Sequence, residues 1–556
     1  MAATVENSLP SEQLIPATSW IRTARAPDRL VINRYLLFAI LATEAIAIFV
    51  YRLPQTLTFN DFAFFDTGSN LTIQSLIDRG YRPGIDFSYQ YGLLPLLFGR
   101  VWFGLCGLTP IACVAVTPLM DLLIIWGFVR LAANLKLNLA GVLLILLTAT
   151  LTVPSSFLNL AHIIETSILI HALADQAGGN RRRALALATT AVFVKPSMAY
   201  FLGLVLLVFI VAECLQDRTP LRALLREIYP AALIGLVIGI ILTASFGLAP
   251  LLHTVIPSEG RALYHAQGYG FFSGAGRTFI APHGASLSYY LVSKAGLWIV
   301  YTIVLVLAAL LVARDALSHR GTSDQADRTP ELILTCAALH LSFVIFFFGN
   351  ESSWGYYVYL LVLGLAAIAR LGLRWEVLVA CLAFAIPITK VDQGIVRRFA
   401  SSRHETLATP GRLTSGMPSV AVPTGESAFG YQLWSTTAPR PETAGLWTTP
   451  DERHEWIKVL AMIRGHSATV LDDYGCADLL FPEFSPPTTF FLQAGGVTPA
   501  DLSRKLPQLQ TSSMIVMPRW QIQLLDDIPE IGAVVRRDFV PAFQGEWFIV
   551  YSRHEG

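Results

Sequence analysis

Long apolar runs separated by short basic clusters fill the first 390 residues of the chain. Many of these runs approach the ~20 residues with which an α-helix crosses a hydrocarbon core of about 30 Å. The pattern predicts an α-helical polytopic membrane protein with about eleven spans. The predicted spans lie near 35–52, 111–131, 138–154, 157–174, 184–194, 196–214, 230–247, 289–312, 331–349, 355–372 and 376–390.

Basic clusters orient these spans, because cytoplasmic loops are enriched in Lys and Arg. The decision turns on one further apolar stretch, 93–108. If it crosses the membrane, the clusters at Arg130/Lys136 and Arg181–Arg183 fall outside. If it lies on the outer surface, all five basic clusters of the body fall inside. We therefore predict an interfacial helix at 93–108, which suits Arg100 in its middle.

The orientation divides the chain into a membrane body and an outer tail. We expect a cytoplasmic lead at 1–34 and a membrane domain at 35–390, with large outer loops at 53–110 and 248–288. A linker rich in Ser, Thr, Pro and Gly follows at 391–450, and a small outer α/β domain at 451–556. We thus expect a multi-pass topology with a cytoplasmic N-terminus and with the tail on the periplasmic or extracellular side.

The tail shows the alternation of strand and helix signals typical of a small α/β domain. Its predicted elements are a strand at Ala468–Asp472, a helix at Pro499–Leu509, a strand at Ser513–Met517, and a hairpin of Val534–Phe543 with Glu546–Arg553.

Composition agrees with a membrane protein and argues against nucleic-acid binding. Hydrophobic residues make up 54% of the chain and charged residues only 14%, while the formal net charge is +1. Soluble domains carry roughly 25% charged residues. The six cysteines lack the spacing of a metal site. Neither a phosphate-binding loop nor a dinucleotide fingerprint is present, which excludes the usual nucleotide cofactor sites.

Three acids stand in the first outer loop. Asp61 lies among Phe59, Phe62, Phe64 and Phe65, and partial desolvation there would raise its pKa and make it a better base. Asp66 and Asp86 follow in the same loop. The residues alone leave a second interpretation open for each acid, namely a helix N-cap or a solvated loop carboxylate.

Two short motifs follow Asp61 and carry a family resemblance. Residues 80–87 read G-Y-x-P-x-x-D-F, and residues 91–95 read Y-G-x-L-P. With a preceding span and an outer Asp, this order resembles the GT-C superfamily of membrane glycosyltransferases. It is most similar to the bacterial branch related to protein mannosyltransferases and to the lipid A aminoarabinose and galacturonic acid transferases. The motif order covers roughly residues 30–215.

The resemblance implies a reaction and roles for the loop acids. Members move a sugar from a polyprenyl-phosphate carrier to an acceptor on the outer face of the membrane. The catalytic base, or the group that orients the acceptor, would be Asp61, and Asp86 would be the second loop acid. The acceptor class (lipid, glycan or protein) stays open.

Further candidates lie near the outer ends of later spans. His162 and Glu165 share a helical face with Asn159, and they could line the site and hold a divalent cation such as Mg²⁺ or Mn²⁺. A hydrogen-bond network between helices is the alternative. Lys195, in VFVKPS, could hold the donor phosphate as a point charge, or could simply extend to the interface.

The loop 248–288 and the turn at 346–357 supply the remaining candidates. Arg261 and Arg277 could clamp a phosphate, since guanidinium binds it in bidentate fashion. Contacts to the sugar or acceptor are predicted for Asp66 of the first loop and for Tyr264, His265, Glu351 and Trp354. An aromatic belt at the membrane interface is the alternative.

The sequence therefore favours an inner-membrane glycosyltransferase that uses a polyprenyl-phosphate sugar and needs no nucleotide. A polysaccharide polymerase or ligase, and a flippase for lipid-linked substrates, are the rival functions.

Overall fold

The computed structural model describes two parts of the chain. The described residues are 34–56, 62–87, 89, 91–134, 160–196, 199, 203, 206, 221–256, 432–433, 447–448, 450–471, 499–519, 522 and 524–554.

Helices make up the described part of the body. They are α1 (Arg34–Thr56), α2 (Phe62–Asp78), α3 (Leu94–Cys106), α4 (Pro110–Asn134), α5 (Leu160–Ala177), α6 (Arg181–Val192), α7 (Leu221–Phe246) and α8 (Leu248–Val255). Helix α4 packs between α1 and α5, and α6 packs between α5 and α7. Helices α4 and α5 approach each other closely at Gly127, since a Cβ at this position would lie 2.4 Å from Cγ2 of Ile170. The small residue permits this approach.

Two described helices are long and apolar enough to cross a membrane. They are Pro110–Leu131 and Leu225–Phe246, each with a mean hydropathy of 2.1. They overlap the spans predicted at 111–131 and 230–247. The spans predicted at 35–52, 157–174 and 184–194 coincide with helices α1, α5 and α6. The spans at 138–154 and from 289 onward lie outside the described residues, as does most of the span at 196–214, so the span count stays a prediction.

Helix α3 occupies the stretch predicted to lie on the outer surface. It has 13 residues and ends at Cys106, and Gly107, whose φ of 82° suits glycine, follows it. A helix of this length is shorter than a bilayer crossing requires. Arg100 projects from it towards the ring of Phe246 at the end of α7, 5.9 Å from the ring centroid.

The tail contains a four-stranded sheet of order β3-β4-β6-β5. Strands β3 (Ala468–Val470) and β4 (Met514–Pro518) are parallel, while β6 (Phe548–Arg553) is antiparallel to β4 and to β5 (Phe539–Gln544). Its helices are α9 (Pro450–Ile463), α10 (Pro499–Thr511), α11 (Leu524–Asp527) and α12 (Pro529–Asp538). A separate antiparallel pair, β1 (Gln432–Leu433) with β2 (Trp447–Thr448), lies within the predicted linker.

Most predicted tail elements are confirmed, and one is wrong in part. The strands at Ala468–Asp472 and Ser513–Met517 and the helix at Pro499–Leu509 match β3, β4 and α10. The hairpin exists, but residues 534–538 of its predicted first strand form the end of α12. Ile531, Val534 and Val535 recur at helical spacing and are buried. The segment therefore forms a helix instead of pairing as a β-strand.

The two faces of the sheet bury different helices. Leu471, which directly follows β3, and the strand residues Ile515 and Ile549 pack with α10, α11 and α12. On the opposite face, Val516 and Val550 pack with Trp456, Val459 and Ile463 of α9. Alternate residues of a strand face opposite sides, which produces this division.

The α9 side of the sheet also meets the body. Its apolar cluster continues into Leu71 of α2, Phe103 of α3, and Ala112 and Cys113 of α4. Next to this contact, Nε1 of Trp102 donates to the carbonyl of Ala112 at 2.7 Å. The tail therefore rests on α3 and on the start of α4.

Candidate functional site

The first loop is bound to the end of α6 through its backbone. The N–H of Gly92 donates to the carbonyl of Val194 at 2.8 Å, and the N–H of Leu94 donates to that of Phe193 at 2.9 Å. A Cβ at Gly92 would lie 2.0 Å from the Phe193 oxygen, so the approach requires glycine. This junction holds Tyr91 next to Lys195, which directly follows the turn.

Lys195 is buried among three polar side chains from two other segments. Its Nζ lies 3.2 Å from Nδ1 of His162 and 4.0 Å from Oε2 of Glu165. The side chains of Lys195 and Glu165 are 4% and 1% exposed. Oη of Tyr91 lies 3.3 Å from Nε2 of His162, and the two rings meet edge to face. We call Tyr91, His162, Glu165 and Lys195 the lysine cluster.

The hydrogen bonds of the lysine cluster assign the proton on His162. An ammonium group can only donate, so Nδ1 of His162 accepts from Lys195. Nε2 therefore carries the proton of the neutral ring and donates to Tyr91. Glu165 supplies the opposite charge that a buried ammonium needs.

This arrangement bears on metal binding by His162 and Glu165. The Lys195 ammonium lies within 4.0 Å of both side chains, and both ring nitrogens of His162 have hydrogen-bond partners. Within the described residues, no three His, Cys, Asp or Glu side chains group as metal ligands. In this geometry the cation beside His162 and Glu165 is the ammonium group of Lys195.

Asp86 is engaged within the first loop. Its carboxylate accepts from the Arg82 guanidinium through two bonds of 3.1 Å and from the Arg82 backbone N–H at 2.7 Å. The hydrogen bonds from the Arg82 side chain hold the pKa of Asp86 below its usual range, and the charge of Arg504 in the tail adds to the effect. An ionised, paired carboxylate is a weak base and a good anchor.

The turn that carries Asp86 packs against α8. Gly84 has φ of 75°, and a Cβ there would lie 3.3 Å from Cβ of His253. The turn, the lysine cluster and the C-terminal end of α8 thus belong to one end of the body, and the tail rests on the same end. We call it the loop end.

Comparisons with known proteins add no relative: no protein-family model, curated protein or solved structure matches this chain. The site has to be interpreted from its own chemistry.

The predicted site residues divide into three groups. His162, Glu165 and Lys195 are brought together, and Asp86 lies in the adjoining loop. Asp66 lies on α2. The others fall outside the described residues: Asp61, Arg261, Tyr264, His265, Arg277, Glu351 and Trp354.

Sequence reasoning did not assign roles to Tyr91, Arg82 or Arg504. Tyr91 and Arg82 stand inside the two motifs that carried the resemblance, so the motifs marked the right segment. Nothing in the sequence marked Arg504, because this residue belongs to the tail and its charge acts on Asp86 only in the folded chain.

A second buried ionic group lies at the opposite end of the body. Asp175 on α5 pairs with Arg130 of α4 and, at 3.0 Å, with Arg183 of α6. Arg130 also donates to Nδ1 of His171 at 2.8 Å, whose Nε2 donates to the Leu123 carbonyl at 3.0 Å. These contacts tie three helices together, which is a structural role.

Proposed function

We propose that this protein is a membrane glycosyltransferase that moves a sugar from a polyprenyl-phosphate donor to an acceptor outside the inner membrane. The observation that carries the proposal is the lysine cluster. A buried ammonium group, oriented by His162 and Glu165, lies where the motif-bearing first loop joins the helical body. Buried ionisable groups in an apolar body are costly, and such a group beside a loop that carries candidate motifs is a candidate functional site.

The proposed reaction is a single inverting displacement. The acceptor hydroxyl oxygen attacks the anomeric carbon of the donor sugar, and its proton passes to the carboxylate of Asp61. The bond between the anomeric carbon and the phosphate oxygen breaks, and polyprenyl phosphate leaves with the electron pair. Because phosphate leaves as a stable anion, the step needs positive charge near it more than it needs an acid.

Lys195 supplies that charge in the proposal. An ammonium group oriented in a low-dielectric site attracts an anion more strongly than one in water. Glu165 and His162 orient Lys195, and Asp86 fixes the loop through Arg82. Arg261 and Arg277 would complete the phosphate contacts. We assign contacts to the sugar or acceptor to Asp66, Tyr264, His265, Glu351 and Trp354.

We assign no divalent cation to the lysine cluster. Lys195 already provides a positive charge between His162 and Glu165. If Mg²⁺ or Mn²⁺ takes part in the reaction, we expect an acid other than the general base Asp61, such as Asp66, to hold it.

The rival functions make different use of these residues. A polysaccharide polymerase or ligase would depend on the Arg and His residues of 248–288 and would tolerate loss of the loop acid. A flippase would move the lipid-linked sugar without breaking the bond to phosphate.

Transfer assays in membranes separate these possibilities. Labelled polyprenyl-phosphate sugar is supplied to membranes that hold equal amounts of wild type, Asp61→Asn, Lys195→Ala or Lys458→Ala. Lys458 is an exposed lysine in α9 and is the matched control for loss of a lysine. We expect transfer to fall at least about 100-fold in Asp61→Asn and Lys195→Ala and to persist in the control. Normal transfer by well-expressed Asp61→Asn protein would remove the base assignment.

A further inference from the structure

Four exposed arginines gather at the end of the body opposite the lysine cluster. Arg182 and Arg183 begin α6, and their side chains are 58% and 65% exposed. Arg222 and Arg226 stand in the first two turns of α7 and are also exposed. Arg182 donates to Glu227 of α7 at 2.9 Å, so the two helix starts are side by side. We call this surface the arginine end.

Among the described residues, acidic side chains balance only part of the positive charge at the arginine end. Glu227 pairs with Arg182, and Asp175 pairs with Arg183. Arg222 and Arg226 form no ion pair with any other described residue. Arginines near a helix start also oppose the helix dipole. The charge distribution therefore favours an anionic partner.

An apolar stripe begins directly beside these arginines. Leu225, Tyr229, Leu236 and Ile240 recur at helical spacing along α7 and are between 55% and 64% exposed. Only 11% of the most apolar part of this helix is buried. A guanidinium pair above an exposed apolar stripe matches the shape of a phospholipid, whose anionic headgroup stands above its acyl chains.

We propose that the arginine end binds a phospholipid with a net negative headgroup, of the phosphatidylglycerol class. Arg222 and Arg226 contact the phosphate, because a guanidinium group can bind phosphate oxygens through two parallel hydrogen bonds and a lysine ammonium cannot. Arg182 and Arg183 extend the positive surface, and the acyl chains lie along Leu225 to Ile240. A soluble anion would use the arginines but leave the stripe uncovered. The site does not depend on the proposed transferase reaction.

The test uses the full-length protein in a neutral detergent. The melting temperature is followed during titration with phosphatidylglycerol, with zwitterionic phosphatidylcholine, or with free glycerol phosphate. The variant is Arg222→Gln with Arg226→Gln. The control removes two exposed charges from the tail, as Lys458→Gln in α9 with Arg464→Gln directly after the helix.

We expect phosphatidylglycerol to raise the melting temperature of wild type and control, with little effect of the other two additives. The Arg222/Arg226 variant should need about 25-fold more phosphatidylglycerol for the same rise, since each arginine near an anionic lipid surface contributes about a factor of five. Equal responses of variant and control would overturn the proposal. So would a wild-type response to phosphatidylcholine, or to glycerol phosphate, equal to that for phosphatidylglycerol.

Discussion

At the scale of residues, Lys195 is stable in an apolar body only because Glu165 shares its burial. Removing one member of a buried ion pair leaves the other charge uncompensated, which costs about 3–5 kcal/mol. Loss of activity in Lys195→Ala could therefore reflect unfolding as well as loss of the phosphate contact.

A double substitution separates these effects. We expect Lys195→Met and Glu165→Leu each to lower the melting temperature strongly, and the double variant to regain most of it because no charge stays buried. Transfer should stay at least about 100-fold below wild type in the double variant, since the phosphate contact is gone. Thermal unfolding and transfer are measured on the same preparations. Recovery of transfer together with stability would make the cluster purely structural.

The sequence anticipated part of this cluster. His162 and Glu165 could be paired because residues three apart share a helical face, and Lys195 stood out as a charge between apolar runs. The contact of Tyr91 with His162 depends on a loop folding back over 71 residues of chain. Periodicity contains no information about such a contact.

At the scale of elements, the junction of the first loop with α6 depends on Gly92. A side chain at this position would meet the backbone of Phe193 at 2.0 Å and that of Val194 at 2.8 Å. Backbone atoms have few ways to move aside, so a Cβ must displace the loop and break its two hydrogen bonds.

We expect Gly92→Ala to lower the melting temperature and to reduce transfer at least about 10-fold, because Lys195 and Tyr91 lose their alignment. Gly104→Ala on α3 is the matched control, since its Cβ would meet nothing within 4 Å. That change should be neutral or slightly stabilising, as alanine is the better helix former. The account of the junction fails if the two alanine variants behave alike.

A second element-scale contact holds the tail together. The Glu455 carboxylate of α9 accepts backbone N–H bonds from Glu546, Trp547 and Phe548 at 2.8, 2.9 and 2.6 Å. This carboxylate fixes the hairpin between β5 and β6 against the helix.

Glu455→Ala should destabilise the tail by about 2–4 kcal/mol, because three backbone donors lose their acceptor. Glu455→Gln, which keeps one acceptor oxygen, should lose less. Hydrogen exchange of β5 and β6 in the full-length protein reports the change. Unchanged exchange in Glu455→Ala would show that water replaces the carboxylate without cost.

Element prediction succeeded where one pattern acted alone. Strands β3 and β4 are short apolar runs bounded by polar residues, and α10 begins at a proline. The segment 534–538 combined β-branched residues with helical spacing, and the packing of Ile531, Val534 and Val535 decided for the helix. Helix α9 was not predicted. Its apolar residues become buried only when the helix packs on the sheet, and the sequence does not show that packing.

At the scale of the whole molecule, charge divides the described body into two ends. Arg130, Arg183 and Arg182 belong to clusters that the sequence predicts to be cytoplasmic, and they lie together at the end opposite Lys195. The tail rests on α3 at the loop end. The basic clusters of the sequence predict a body with one basic end and with the large loops at the other end. Which side of the membrane each end faces stays a prediction.

Cysteine labelling tests that sidedness. Cys106 at the end of α3 is exposed, and Cys113 on α4 is buried. In a variant that keeps only Cys106, we expect a membrane-impermeant maleimide to label intact spheroplasts. A variant that keeps only a cysteine introduced as Arg182→Cys should be labelled only after the membrane is opened, and one that keeps Cys113 should react slowly in both cases. The reverse order for Cys106 and Arg182→Cys would invert the topology.

The most direct test of the central claim measures both products in proteoliposomes. Wild-type protein receives a polyprenyl-phosphate sugar labelled in sugar and phosphate, together with an acceptor extract from the outer envelope. We predict that each sugar transferred to acceptor releases one polyprenyl phosphate, and that Asp61→Asn abolishes both products together. Passage of intact labelled donor across the bilayer without release of polyprenyl phosphate would contradict the account and identify a transporter.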